Sequence, residues 1–303
     1  MTELREVAPG VHTWVQADGT WWINNAGAVH AGGEVVLVDT CATRRRTQAF
    51  LDAVSAATGG APVKVAVNTH LHGDHVYGNA LLPSSTVIAA HELTRQGVLA
   101  DFILANTPPV WSPTPDWGID AVRPPTLTFR DEITLHAGDK PIVVRHPGFA
   151  AHTVGDAVAW LPEDRVLFTG DLVFHGVTPL IAMGSLAGAL KSVDWLRTFD
   201  PLVVVPGHGP LVDGQRWTDV LDAHARYYEF VATTAESALI RGLTPLEAAR
   251  EADPGEFAAW PDGERLVLNL HRAFADQRGT DVDIAAALGD AIAYHGGPLH
   301  CAV

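Results

Sequence analysis

The stretch Thr69-His70-Leu71-His72-Gly73-Asp74-His75 directly follows the apolar run Val63-Lys64-Val65-Ala66-Val67. A β-branched run of this kind is typical of a buried parallel strand. Side chains alternate along an extended chain, so the first two histidines would point the same way. The glycine then allows a sharp turn that moves the aspartate and the third histidine toward a second point. Two pairs of ligands from one loop favour two neighbouring metal ions, which lie about 3.5–4 Å apart in sites of this type.

The close spacing of the three histidines in this motif distinguishes them from the other histidines of the chain. The sequence contains fifteen histidines, and an isolated one is usually an ordinary core or surface residue. Packing gives no reason to collect three histidines and one aspartate within six positions. We therefore interpret the stretch as a metal site.

Further candidate ligands follow strands in the second half of the chain. Asp171 comes after Gly170 at the end of one predicted strand, and His208 lies between two glycines at the end of another. His152 comes shortly after Pro147-Gly148. Glycine beside a strand end lets the backbone turn, so each side chain can be directed into a shared cleft.

With these elements in this order, the sequence resembles the metallo-β-lactamase superfamily of dinuclear metallohydrolases. The resemblance covers roughly residues 8–215 and also includes Asp39-Thr40 after an early strand. It implies the following ligand set: His70, His72 and His152 for the first metal, Asp74, His75 and His208 for the second, and Asp171 as the bridge.

The ligand chemistry agrees with this set. Imidazole and carboxylate groups suit zinc, with two Zn²⁺ per chain, and iron or manganese also accept such sites. A hydroxide held between two cations forms near neutral pH, because a metal lowers the pKa of water from 15.7 to about 7. This hydroxide can attack a carbonyl, and we predict that Asp74 is catalytic as well as a ligand, steering the water or accepting its proton.

The order of strands and helices predicts an α+β fold. Each half has strands followed by a helix, which implies two mixed sheets face to face with helices outside. This four-layer αββα sandwich is the fold of the family that the sequence resembles. We expect it over residues 1–215, with residues 21–27 as one of its strands. Residues 216–303 have helical spacing and are expected to form a C-terminal helical extension packed on the sandwich.

The proline-rich segment 105–125 predicts a lid without regular elements. Trp111 and Trp117 in this segment are predicted to give the substrate an apolar surface. Phe174 occupies the position where quorum-signal lactonases of the resembled family commonly have a tyrosine. Together with His175 it is predicted to reach the same pocket, although an ordinary loop position for His175 is equally compatible with the sequence.

Charge and composition argue against nucleic-acid and membrane partners. The net charge of −15 argues against nucleic acid as a partner. Two cysteines far apart, with no apolar N-terminal segment and no apolar run of membrane-spanning length, predict a cytoplasmic protein without a membrane partner. A homo-oligomer is compatible with the sequence.

The leading prediction is a zinc-dependent hydrolase that cleaves an ester, thioester, lactone or amide of a small, partly apolar molecule. An iron-dependent redox or isomerising enzyme with the same ligands is the alternative, because this fold supports several reactions. A non-catalytic binding protein is a third hypothesis, which the complete ligand set disfavours.

Overall fold

The apolar runs of the sequence pair into two large sheets. A computed structural model describes residues 3–303, and within that range it contains a seven-stranded and a six-stranded sheet. The strands are, in chain order, β1 Glu3–Ala8, β2 Val11–Val15, β3 Ala26–Ala31, β4 Glu34–Val38, β5 Val63–Val67, β6 Val87–His91, β7 Trp111–Ser112, β8 Leu127–Phe129, β9 Glu132–Ala137, β10 Lys140–Arg145, β11 Val158–Leu161, β12 Val166–Phe174, β13 Val203–His208, β14 Val212–Asp213 and β15 Leu299–His300.

The helices lie outside these sheets or follow them in the chain. They are α1 Arg44–Ala57, α2 Gly73–Val76, α3 Glu92–Leu99, α4 Ile103–Asn106, α5 Leu186–Leu196, α6 Trp217–Arg241, α7 Pro245–Glu251, α8 Arg265–Arg278 and α9 Ile284–His295. In the described part of the chain, no helix has both the length and the apolar character needed to cross a membrane.

Both sheets are mixed. The first has the order β1-β2-β3-β4-β5-β6-β8, with antiparallel pairs as far as β4 and parallel pairs from β4 onward. The second has the order β14-β13-β12-β11-β10-β9, in which β12 and β13 form the parallel pair. These parallel pairs contain the strands that lead to the predicted ligands, so their carboxyl ends bring the ligands to one edge of the sandwich.

Alternation along the strands produces the four layers. On β4, Val36 and Val38 belong to a core shared with Phe168 of the other sheet, whereas Val35 and Leu37 face α1. Val158, Leu167 and Val204 of the second sheet pack in a core with α5, α6 and α8. The predicted αββα sandwich with C-terminal helices is therefore confirmed. The domain boundary at residue 215 stays a prediction.

Two local predictions are wrong. Residues 21–25 do not form the strand predicted over residues 21–27: Trp21 and Trp22 lie in a turn, and Trp22 has φ 67°, a value that extended backbone excludes. Only Ala26 and Gly27 of that range are in a strand, as the first residues of β3. The segment 105–125 does contain a regular element, because β7 pairs in parallel with β15 at the C-terminal end of the chain. That pairing joins residues almost two hundred positions apart, so no local pattern indicates it.

Gly27 allows the two sheets to approach. A Cβ at this position of β3 would lie 2.1 Å from Cε1 of Phe168 on β12. We therefore expect Gly27→Ala to lower the free energy of unfolding by about 1–3 kcal/mol, the usual cost of overpacking a core. Urea unfolding measures this change.

The matched control is Gly289→Ala in α9, where an added Cβ has no neighbour within 4 Å. This variant should be neutral or more stable by up to about 1 kcal/mol, since alanine favours helices. A Gly27→Ala protein as stable as the unaltered chain would contradict the close approach of the sheets.

Candidate metal centre

The predicted ligands come together at the carboxyl ends of the parallel strands. His70 and His72 follow β5, and α2 then turns Asp74 and His75 back toward them. Asp171 lies within β12, and His208 is the last residue of β13. His152, in the connection between β10 and β11, completes the cluster. All seven predicted ligands belong to two adjoining groups, His70, His72, His152 with Asp171 and Asp74, His75 with His208.

Asp171 lies between the two groups. Its Oδ2 is 3.3 Å from Nε2 of His152 in the first group and 3.3 Å from Nε2 of His208 in the second. Its Oδ1 is 3.1 Å from Nε2 of His75. A carboxylate in this position can contact an ion in each group, which is the role that the sequence resemblance implies for it.

The centre fits divalent ions because it leaves strong ligand atoms unsatisfied. Nε2 of His70 is buried without a hydrogen-bond partner, and Nε2 of His75 and Oδ1 of Asp171, although 3.1 Å apart, are not aligned to form a hydrogen bond. Buried polar atoms are nearly always partnered, so such a concentration at one point requires an explanation. Within each group the ligand atoms lie within 4.8 Å of one another, and imidazole nitrogen with carboxylate oxygen is a suitable donor set for zinc.

Contacts on the far side of the rings fix their orientation. Nδ1 of His75 is 2.8 Å from Oδ2 of Asp39, Nδ1 of His152 is 2.5 Å from the carbonyl of Leu180, and Nδ1 of His208 is 2.9 Å from the carbonyl of Gly19. When Nδ1 donates to these oxygens, the other ring nitrogen, Nε2, faces the centre. Such contacts orient metal ligands and strengthen metal binding.

Asp39 joins the motif loop to the end of β4. Its carboxylate accepts hydrogen bonds from the backbone N–H of Thr69 at 2.8 Å and from the Thr69 hydroxyl at 2.7 Å, besides its contact with His75. The residue has φ 60°, an uncommon conformation for a residue with a side chain. These contacts hold it there. The sequence resemblance included Asp39, but only the structure gives its partners.

Burial and the neighbouring charges shift the pKa of several of these ligand side chains. Burial lowers the pKa of His152 to about 3. Burial also acts to lower the pKa of His208, but the carboxylates of Asp171 and Asp74 outweigh it and raise the value to about 9. For Asp74 burial acts to raise the pKa, whereas His75 and His208 together bring it to about 2. Asp74 is therefore ionised at neutral pH.

A largely apolar pocket of about 750 Å³, including its open mouth, lies over the centre. His72, Asp74, Asp171 and His208 contribute to its lining at the metal side. The remaining lining is mainly aromatic and aliphatic and comes from four separate parts of the chain: Trp21, Trp22, Phe102, Ile103, Trp111, Phe174, Leu180, Ala182, Met183, Arg265, Leu268, Ile284 and Leu288.

The predicted substrate residues have different positions. Trp111 and Phe174 line the pocket. Trp117 is buried behind it, edge-on to Trp22 with ring centroids 4.6 Å apart, and its indole N–H donates to Thr107. His175 does not line the pocket, and its Nδ1 is 2.9 Å from the carbonyl of Pro210. The pocket placement predicted for Trp117 and His175 is thus not what the structure has. Trp117 packs against Trp22, and the ring of His175 binds the turn after β13.

Sequence reasoning missed residues that support the centre from distant parts of the chain. His224 of α6 accepts a hydrogen bond from the backbone N–H of Phe174 at 3.0 Å and donates to Val220. The ring of Phe174 in turn stacks on His208, with centroids 5.1 Å apart and planes at 9°. A histidine at helical spacing gives no signal of this role, because it depends on tertiary contacts.

A family model described as the metallo-beta-lactamase superfamily matches residues 19–208, the part of the chain that contains the whole ligand set. The chain belongs to the metallo-beta-lactamase superfamily. This confirms the family predicted from the motif. The metal identity and the substrate are finer predictions that membership does not test.

Two curated proteins are similar to this chain at low sequence identity. The alpha subunit of 2,4-dinitroanisole O-demethylase from Nocardioides sp. (strain JS1661) is 26% identical over 200 residues, which are 64% of this chain and 54% of that one. A linear primary-alkylsulfatase from Pseudomonas sp. (strain ATCC 19151) is 25% identical over 225 residues, 61% of this chain and 42% of that one. The chain thus spans about half the length of the curated relatives it matches.

Solved structures support the fold. The sec-alkylsulfatase Pisa1 from Pseudomonas sp. superposes with a TM-score of 0.72 at 19% identity, covering 94% of this chain and 52% of that one. A metallo-beta-lactamase from Pontibacter korlensis gives a TM-score of 0.60 at 23% identity, covering 76% of this chain and 99% of that one. The similarity to Pisa1 therefore extends further along this chain than the similarity to the lactamase.

Removing one ligand should lower the metal content. We expect His72→Ala to reduce bound Zn²⁺ from about two to about one per chain, because His72 belongs to the first group only. Mass spectrometry of metal content measures this loss. His175→Ala is the matched control, since His175 lies in the same region without joining either group. Equal metal content in both variants would refute the ligand assignment.

Loading the metal-free protein with Zn²⁺ should release protons. The pKa of His208 is raised to about 9, so its ring is protonated at about pH 7.5 and must lose a proton before Nε2 can bind a metal. Calorimetry in buffers of different ionisation enthalpy should detect about one or more protons released, with less release at about pH 10. A binding enthalpy that is independent of the buffer would contradict this expectation.

Proposed function

We propose that this protein is a zinc-dependent hydrolase that cleaves an ester, thioester, lactone or amide of a small, partly apolar molecule. The observation that carries the proposal is the position of the ligand groups at the metal side of a single apolar pocket. A concave apolar site with a few polar groups at one point is the usual form of a small-molecule active site.

The groups around the pocket would have different roles in such a reaction. Bound zinc ions would supply a hydroxide near neutral pH and polarise the bond to be cleaved. Asp74 lines the pocket and is ionised at neutral pH, so its carboxylate can accept a proton from the attacking water and orient it. The aromatic walls exclude bulk water, which strengthens electrostatic interactions with the reacting group.

The walls favour an apolar or aromatic substrate. Trp21 and Trp22 both pack edge-on against Trp111, with ring centroids 5.0 Å apart for the pair Trp22 and Trp111 and 5.8 Å for Trp21 and Trp111. This packing forms a rigid aromatic wall at low entropic cost. The names of the two curated relatives also refer to an apolar body joined through oxygen, an aryl methyl ether in one case and an alkyl sulfate in the other.

A substrate panel with defined metal states tests the proposal. Zn²⁺-loaded, Fe²⁺-loaded and chelator-treated protein would be assayed with 4-nitrophenyl esters, an acyl lactone, a thioester, an amide, a primary alkyl sulfate and 2,4-dinitroanisole. Hydrolysis by the zinc form alone supports the proposal. Oxygen consumption or isomerisation by the iron form would replace it with the redox or isomerising alternative. Tight binding without turnover in every metal state would favour a binding protein.

The expected partner is this small molecule. The net charge of −15 disfavours nucleic acid, and the cytoplasmic location stays a proposal that rests on the sequence alone.

Phe102 at the pocket mouth should contribute to substrate selection. Its side chain is 48% exposed, so its removal has a small effect on stability, and it lines the pocket. We expect Phe102→Ala to raise KM for a long-chain or aryl ester by up to about tenfold, about 1.4 kcal/mol, and to change KM for an acetate ester little.

Leu99→Ala is the matched control. Leu99 is 58% exposed on α3, close in the chain, and it does not line the pocket. This variant should behave as the unaltered protein with both substrates. Equal changes in the two variants, or equal changes for long and short esters, would exclude selection by Phe102.

A further inference from the structure

The segment between β12 and α5 contacts both the metal centre and the pocket. We call residues 178–183 the wall loop. The carbonyl of Leu180 in this loop accepts a hydrogen bond from Nδ1 of His152 at 2.5 Å. Leu180, Ala182 and Met183 line the pocket. The conformation of the wall loop therefore bears on a metal ligand and on the pocket at the same time.

Helix α8, in the C-terminal part of the chain, holds this loop on both sides of Leu180. Asn269 accepts a hydrogen bond from the N–H of Ile181 at 2.8 Å and donates to the carbonyl of Pro179 at 2.8 Å. Arg265, one turn earlier on α8, donates to the carbonyl of Thr178 at 2.9 Å. Positions four apart lie on the same face of a helix, so both side chains reach the loop together.

These contacts determine the direction of the Leu180 carbonyl. Asn269 has no exposed surface, and its amide bonds the residues immediately before and after Leu180. With both neighbours fixed, the carbonyl of Leu180 is held toward Nδ1 of His152. A proton kept on Nδ1 leaves Nε2 unprotonated toward the centre, where it lies 2.9 Å from Nδ1 of His72 and 3.3 Å from Asp171.

We propose that Asn269 is a positioning residue of the metal centre, which acts through Leu180 to fix the tautomer and orientation of His152. Helix α8 of the C-terminal part then supports a ligand of the first group, in addition to lining the pocket. This role holds for any substrate that the site takes. Arg265 supports it from the preceding turn, where its guanidinium also pairs with Asp262 at 2.6 Å.

A merely structural role makes a different prediction. The Asn269 amide also donates to the hydroxyl of Tyr227 at 3.0 Å and so links α8 to α6. If this link were the only role of Asn269, removing the side chain would lower the stability of the whole protein and would reduce the metal affinity of both ligand groups equally. A positioning role predicts a selective loss at the group that contains His152.

A double-mutant cycle separates the two roles. Zn²⁺ affinity of the metal-free protein is measured by calorimetry with Asn269→Ala in two backgrounds, His208→Ala and His152→Ala. In the His208→Ala background the first group remains, and we expect its affinity to fall about tenfold, the lower end of the effect of groups that orient ligands. In the His152→Ala background that group is already impaired, and we expect a change of less than about twofold.

Two further variants complete the test. Tyr227→Phe removes a buried hydrogen bond to the same Asn269 and leaves the loop contacts, so Tm should fall while Zn²⁺ affinity is unchanged. Asn269→Asp should restore most of the affinity. Burial raises the pKa of a carboxyl group, and the protonated acid can accept from Ile181 and donate to Pro179. If Asn269→Ala does not fold, Asn269→Leu, which fills the site without either loop hydrogen bond, replaces it in the cycle, with the loss again expected in the His208→Ala background only.

Equal losses of affinity in both backgrounds, or no loss in the His208→Ala background, would overturn the proposal. Spectra of protein with ¹⁵N-labelled histidine give an independent readout. In the Zn²⁺-loaded protein the Nδ1 proton of His152 should exchange slowly with solvent, and in Asn269→Ala it should exchange rapidly. Slow exchange in both proteins would equally contradict the role of Asn269.

Discussion

The structure depends on holding two carboxylates and five imidazole rings against one another in a buried space. Most of these groups are almost fully buried, and several of their atoms have no partner within the protein. Such a cluster is costly unless metal ions complete it, because buried polar atoms without partners carry the full penalty of desolvation. The surroundings must therefore resist the tendency of the rings to rotate toward other partners.

The fold provides that resistance from several directions. Asp39 at the end of β4 holds His75, the backbone of Gly19 holds His208, and the wall loop holds His152. These partners come from parts of the chain that are distant in sequence. The αββα arrangement matters here because parallel strands deliver their carboxyl ends to one edge, where the connecting loops can reach one another. The C-terminal helices add a second support, through His224 to Phe174 and through α8 to the wall loop.

The sequence predicts the parts of this arrangement that depend on local pattern. The motif after β5 and the glycine-flanked Asp171 and His208 carry their chemistry in adjacent residues, so these candidate ligands could be recognised from the sequence, and the resemblance to the family implied how the ligands divide between two metals. The four layers follow from the order of strands and helices. The start of β3 was less predictable, because the residues before it form a turn and not a strand. Tryptophan is common in strands, but packing against Trp111 and Trp117 determines the conformation of Trp21 and Trp22.

Contacts between distant segments could not be predicted. Trp117 and Trp111 look alike in the sequence, yet only Trp111 reaches the pocket. Asn269 is an ordinary polar residue within a helical pattern, and its proposed role follows from the contact of α8 with the wall loop, which the sequence does not indicate.

X-ray absorption at the metal edge, on protein purified without added metal, tests the central claim most directly. The account predicts about two metal ions per chain with only nitrogen and oxygen ligands and a metal–metal distance of about 3.5–4 Å. A single ion per chain, or sulfur among the ligands, would contradict it.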